Sequence, residues 1–279
     1  MNDIPSILIH LDASPRSNER LALARRLAPK QGASLQALYA AHSSFVELPF
    51  ALSEGSDMGV LALKFDEDRR ERARAQFDRA MAVAGAPVEW AELEREPAIW
   101  GFVQQALYAD LLVLGQREID PAFARDLPPD FLESVLLGSG KPALVLPYAS
   151  AGPSDAQRIL VAWNATRESA RALFAALPLL RGAGRVDVAV WQDENSALTS
   201  ADRTRLTRCL EQHGVTATLH WYGAAPADVG NSLLSLAADL GSDLLVTGCY
   251  GHTRAREWVL GGATRTLLKS MTVPVLMSH

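Results

Sequence analysis

The chain has 279 residues, 48% of them hydrophobic and 21% charged, and a formal charge of −5 at pH 7. That length predicts two domains or one large α/β unit, and the composition argues against a disordered chain or a coiled coil. The acidic balance argues against a general nucleic-acid binder, and two cysteines, Cys209 and Cys249, cannot by themselves build a disulfide framework or a zinc site.

An apolar run begins at Ile7 with no basic segment or cleavage site before it, and no apolar stretch approaches the roughly 20 residues of a membrane helix. The sequence therefore reads as a cytoplasmic protein with neither a membrane nor a nucleic-acid partner. In chain order, short apolar runs predict strands near 6 to 11, 34 to 39, 88 to 92, 111 to 114 and 143 to 146. A second set follows near 158 to 162, 185 to 190, 216 to 221, 244 to 247 and 273 to 277. Between them, Ala73, Phe77, Ala80, Met81 and Ala84 keep helical spacing, as do Val229, Leu233, Leu236, Ala237 and Leu240. Thr166 caps a further helix, and Pro178 is expected to end it.

The two sets repeat one another. Ile7-Leu8-Ile9-His10-Leu11-Asp12 lies over Ile159-Leu160-Val161-Ala162-Trp163-Asn164, Asp110 to Gly115 lies over Asp243 to Gly248, and Lys141 to Leu146 matches Val273 to Met277 with Pro142 over Pro274. The spacing between the early and late landmarks is longer in the first copy by 19 positions, which assigns it an insertion within residues 43–63, read as a flexible excursion or lid. Residues 1–150 form one copy and 155–279 the other, joined through Ala149 to Ser154. Strands alternating with amphipathic stretches predict an α/β fold, two tandem doubly wound, Rossmann-like domains of five parallel strands each.

The informative chemistry follows the fourth strand of the second copy. Gly248-Cys249-Tyr250-Gly251, then nine residues from His252, then Gly261-Gly262-Ala263-Thr264, reads G-x2-G-x9-G-G-x-T. Glycines there let backbone N–H groups approach a ligand, and Gly261-Gly262 opens a helix expected over Thr264 to Lys269, an anion-binding arrangement. The loop, the first strand ending at Asn164, and the closing Val273-Pro274-Val275-Leu276 together resemble the universal stress protein family, over nearly the whole chain. Nucleotide-binding members carry G-x2-G-x9-G followed by Ser or Thr.

The resemblance implies a stress-response protein whose C-terminal domain binds ATP or another adenine nucleotide, with Mg2+ as an accompanying ion. It implies contacts from Asn164, Gly248, Gly251, His252, Gly261, Gly262 and Thr264. Two positions depart from the family pattern: Gly262 stands where the family has Ser or Thr, and Asn164 where it has Asp. Thr264 can return the lost hydroxyl and Asn164 can still hydrogen-bond a ribose or base. Arg254 and Arg256 could neutralise ligand charge, and Cys249 reads as a buried inert thiol or a redox-sensitive one.

The first copy lacks the loop. Gly115-Gln116-Arg117-Glu118 puts a carboxylate where the second glycine would stand, and Leu127-Pro128-Pro129-Asp130 replaces the third glycine. Residues 1–150 carry 15 basic against 21 acidic side chains, and the remainder 12 against 11. This copy reads as structural or regulatory. His10 and His42 lack a third ligand for zinc, and Gly138-Ser139-Gly140-Lys141 lacks the residues of a complete phosphate loop.

The expected function is that of a switch or interaction module and not an enzyme, with slow ATP hydrolysis compatible. A nucleotide-dependent hydrolase or transferase, and a scaffold that no longer binds nucleotide, are the alternatives. Family members pair through their last strands, so Ala143 to Leu146 and Val273 to Met277 are expected to meet within one chain as a pseudo-dimer, with a further homodimer compatible.

Overall fold

Strands that carry apolar residues on both faces need cover on both, and this chain builds two sets of them. A computed structural model describes residues 4–42, 57–93, 96–149, 154–192, 199–251 and 262–279. These divide into two compact units, Met1–Lys141 and Pro142–His279.

In the first unit, β1 (Ser6–Leu11) lies between β2 (Ser34–Tyr39) and β4 (Leu111–Gly115), with β3 (Glu89–Glu92) outside β2. The pairings of β1 with β2 and β4, and of β2 with β3, are parallel. Ile7, Leu8, Ile9 and Leu11 are buried, as are all of Leu111 to Leu114, the continuous apolar pattern of a central parallel strand. Helices α1 (Ser17–Gln31), α2 (Asp57–Met81), α3 (Ala98–Ala106) and α4 (Phe131–Ser139) complete the unit. Helix α1 stops at Gly32, whose φ of 64° suits a residue without Cβ and lets its N–H reach the Ala28 carbonyl.

The second unit repeats this plan. Strand β6 (Arg158–Trp163) lies between β7 (Arg185–Gln192) and β9 (Leu244–Gly248), β8 (Thr218–Ala224) flanks β7, and β10 (Val275–Ser278) flanks β9. Pairings within this set are parallel. Helices α5 (Arg167–Gly182), α6 (Ser200–Gln212), α7 (Val229–Asp239) and α8 (Ala263–Ser270) alternate with the strands. Its core includes Ile159 to Val161, Leu244 to Val246, Leu173, Leu180 and Val275 to Met277.

The unit boundary falls before β5 (Ala143–Leu146), ahead of the linker read near Ala149 to Ser154. Strand β5 hydrogen-bonds antiparallel to β10, Leu144 opposite Leu276, and so packs with the second unit.

Three local expectations change. Pro178 does not end α5, which runs on to Gly182. Proline removes only the bond to the carbonyl four residues back, and that residue, Phe174, is exposed, so water can reach its carbonyl. The excursion read over residues 43–63 is helical from Asp57 onward, as the start of α2, and residues 43–56 lie outside the described residues. Strand β8 begins and ends later than 216 to 221, with a bulge opposite Val190 to Gln192.

Candidate functional site

In each unit the strand order reverses about the first strand: β1 has β2 on one side and β4 on the other, and β6 has β7 and β9. The crevice beyond the carboxyl ends at such a reversal is where open α/β sheets bind ligands. Two corners result, one per unit, formed by residues 12–20 with 115–131 and by residues 164–172 with 248–251 and 262–264.

In the second corner the chain leaves β6 through Asn164 and turns at Ala165, whose φ is 57°. Asn164 Oδ1 accepts the Thr166 hydroxyl at 2.9 Å. Thr166 caps α5 by exchanging side-chain and backbone bonds with Ser169. This cap draws the start of α5 against the end of β9. A Cβ on Gly248 would lie 2.6 Å from the Glu168 carbonyl carbon and the Ser169 nitrogen, so packing of α5 itself demands glycine there.

The glycine loop begins beyond that point. Cys249 is buried, which agrees with an inert thiol, and its N–H donates to the Ser278 carbonyl. Tyr250 adopts a φ of 56°, and its N–H donates to Thr264 Oγ1 at 3.3 Å, tying the entry of the loop to the first turn of α8. Gly262 is the N-cap of α8 and supplies no side-chain cap. His252, Arg254, Arg256 and Gly261 lie outside the described residues.

Glu168, absent from the residues picked out by sequence, also belongs to this corner. It is 3% exposed, its Oε2 would lie 3.0 Å from a Cβ on Gly251, and its other oxygen accepts Arg167 Nε at 2.5 Å. Burial pushes its pKa up, but the Arg167 hydrogen bond and local donors outweigh this and hold it below the usual carboxylate range. The glycine loop therefore borders an ionised carboxylate.

The first corner has the same geometry with different charges. Asp12 Oδ1 accepts the Ser14 N–H at 2.9 Å and the Ser14 hydroxyl at 2.6 Å, and it pairs with Arg20 Nη2 at 2.9 Å. Burial alone would raise Asp12, yet the Arg20 guanidinium beside it brings its pKa down to about 2. Burial, with Arg20 second, pushes the neighbouring His10 down to about 4, so the ring is neutral at pH 7 while Nε2 meets the Ala40 carbonyl at 2.9 Å. His42 joins a different partner, its N–H donating to the Asp126 carbonyl, and no cluster of three His, Cys, Asp or Glu among the described residues could hold a metal ion.

Glu118, expected to oppose phosphate, turns onto its own loop and accepts the Ile119 and Asp120 N–H groups. A small pocket with a cavity volume of about 30 Å3, partly open to solvent, lies between this loop, Arg20 and Phe131. In unit two the positions of Asp12 and Arg20 are taken by Asn164 and the fully buried Ala172. The repeat itself could have shown this paired change, since both ends of the ion pair disappear together.

No family model matches the chain. A universal stress protein of Synechocystis sp. is 23% identical over 297 aligned positions, which cover 97% of this chain and 98% of the relative. Among solved structures, a universal stress protein from Archaeoglobus fulgidus superposes with a TM-score of 0.69 at 14% identity, covering 98% of this chain and 95% of its own. The chain is similar to universal stress proteins along its whole length and shares their fold. A Pseudomonas aeruginosa protein of unknown function superposes on this chain with a TM-score of 0.60 at 17% identity, covering 99% of this chain and 93% of its own. Full coverage on both sides agrees with two tandem copies of the family fold. No described helix of this chain is long and apolar enough to cross a membrane.

Proposed function

We propose that this protein is a universal stress protein that binds an adenine nucleotide, ATP or a close analogue, with its second unit, and acts in the cytoplasm as a switch or interaction module rather than as an enzyme. The observation that carries this reading is the bond from Tyr250 N–H to Thr264 Oγ1. It brings the entry of a glycine loop onto a helix start that no side chain caps. The first-turn N–H groups of such a helix favour a phosphate. Gly251, Gly262 and Thr264 would hold the phosphates, and Asn164 would face the ribose or base. Any Mg2+ would arrive with the triphosphate. On binding, the nucleotide supplies a change in charge and order at the loop, which is what a switch needs.

One observation favours the scaffold reading: the Glu168 carboxylate beside Gly251 repels an incoming phosphate. Heat release of bound nucleotide from the purified full chain, followed by chromatography, separates the two. Stoichiometric adenine nucleotide supports binding. None, together with no uptake of added ATP, supports the scaffold. The antiparallel register of β5 with β10 supports the further proposal that the last strands of the two repeats pair as an internal pseudo-dimer.

A further inference from the structure

The two strands that have a neighbour on one side only are built differently. Among the described residues β3 pairs with β2 alone and β8 with β7 alone, so each presents a row of backbone N–H and C=O groups to whatever lies outside. Strand β3 has four residues and a glutamate at each end, and Glu92 is held by Arg70 through two bonds of 2.9 Å. Short length and charge are the usual guards of an edge. Strand β8 has seven residues, Thr218–Ala224, and no Lys, Arg, Asp, Glu or Pro stands anywhere in residues 212–225. Its bulge guards only the far end. Two steps on β7 from Val190 to Gln192 face three on β8 from Trp221 to Ala224, which leaves Thr218 to Trp221 regular.

The side chains along this edge need neighbours as well. Leu219, His220, Trp221 and Tyr222 are half-buried. His220 and Tyr222 stack with ring planes 14° apart, and Trp191 lies against Tyr222 with centroids 5.2 Å apart, while Trp221 is on the opposite face with Arg203 over its ring. Asp187, the acid beside His220, is engaged by His220 Nε2 and Arg185 Nε at 2.7 Å each. A bare edge accepts only an extended backbone, and a neutral aromatic one offers no counter-charge to a charged segment. We propose that β8 pairs antiparallel with β8 of a second copy of this chain. An identical strand brings neither charge nor proline to the ladder, and a two-fold axis closes the assembly at two copies. An axis perpendicular to the sheet sets Leu219 and Trp221 against their counterparts on one face, and Thr218 and His220 on the other, as cross-strand pairs. The regular stretch is short, so the dimer belongs to the weak class.

Sedimentation velocity of the full chain over a rising concentration series, with amide exchange followed by mass spectrometry, tests the proposal. The chain should pass from monomer to dimer in the micromolar range. Exchange across β8 should slow along with that transition while exchange across β3 does not change. Thr218 is exposed, so Thr218→Lys should keep the circular dichroism spectrum. A lysine is the kind of edge charge that blocks pairing, and the two-fold axis applies it twice, so the dimer should weaken at least about tenfold. Gly223→Lys, where an added Cβ meets nothing within 4 Å, repeats the test if Thr218→Lys fails to fold. A chain monomeric throughout the series, a dimer in which exchange across β8 is unchanged, or an undiminished dimer in a folded variant would each overturn the proposal.

Discussion

The two corners share a backbone plan and differ in where they keep charge. In the first, Ser14 donates to Asp12, and the carboxylate is balanced by Arg20. In the second, Thr166 donates to Asn164 in the same manner, and Ala172 fills the place of the arginine. Removing one end of a buried ion pair is expensive, whereas replacing both ends by neutral groups is nearly free. The second corner thus holds neither the carboxylate nor its counterion and keeps the turn. A different buried acid, Glu168, lies there against the end of β9. Corner geometry follows from the strand and cap, and ligand preference from three or four charged side chains laid over it.

The comparison breaks most sharply at Arg20. Arg20→Met should destabilise the first unit by about 3 to 5 kcal/mol, because Asp12 is left buried without its cation. Asp12→Asn with Arg20→Ala, which copies the second corner, should recover most of that loss. Urea titration read by amide exchange in β1 checks both. Equal damage in the single and double variants would deny that the pair acts as a unit.

Acid should separate the corners next. Asp12 has its pKa lowered from the ordinary 3.8 to about 2. Its contribution, about 2 kcal/mol from a shift of this size, is present above pH 4 and lost as pH falls from 4 to 2. His10 is lowered from 6.5 to about 4, so protonation favours the unfolded chain and stability already declines as pH falls from 6.5 towards 4. Exchange protection of β1 should fall across both windows, and an imidazole titration by NMR should place the His10 midpoint well below 6. A midpoint near 6.5 would mean that the ring is not held in the environment described.

Glu168 sharpens the comparison by about one factor of ten. Glu168→Gln keeps the size of the side chain and removes the negative charge beside Gly251, so ATP affinity should rise about tenfold. A fall in affinity would mean that the carboxylate accepts hydrogen bonds from the ligand instead of repelling it. The smallest effect belongs to the cap. Thr166→Ala should cost about 1 kcal/mol and loosen the first turn of α5, read as faster amide exchange at Ser169.

The strands were legible because buried parallel strands are continuous apolar runs. Those at Ser6–Leu11, Ser34–Tyr39 and Ala143–Leu146 carry the boundaries read from the sequence. Thr166 was legible as a cap from its place after the strand-ending Asn164. Strand β8 was misplaced because its residues are half-exposed and its edge carries a bulge, which weakens the alternation. Pro178 misled because local propensity is overridden when the residues around it, Leu177, Leu179 and Leu180, are buried against the sheet. Glu168 and Arg20 escaped notice for a different reason. Each looks like a solvated charge on a helix, and only the approach of a glycine from a distant strand, Gly248 and Gly115 respectively, turns it into part of a site.

The central claim is that the two corners diverged in ligand chemistry, with the second taking nucleotide and the first not. Calorimetric titration of the full chain with ATP, alongside Gly262→Val, addresses it directly. The backbone of Gly262, with φ −48° and ψ 161°, accepts a branched residue, whose side chain would crowd the start of α8 where phosphate is proposed to bind. The account predicts one ATP bound per chain and binding lost in Gly262→Val with the fold intact. Two ATP bound per chain, or undiminished binding in the variant, would contradict it.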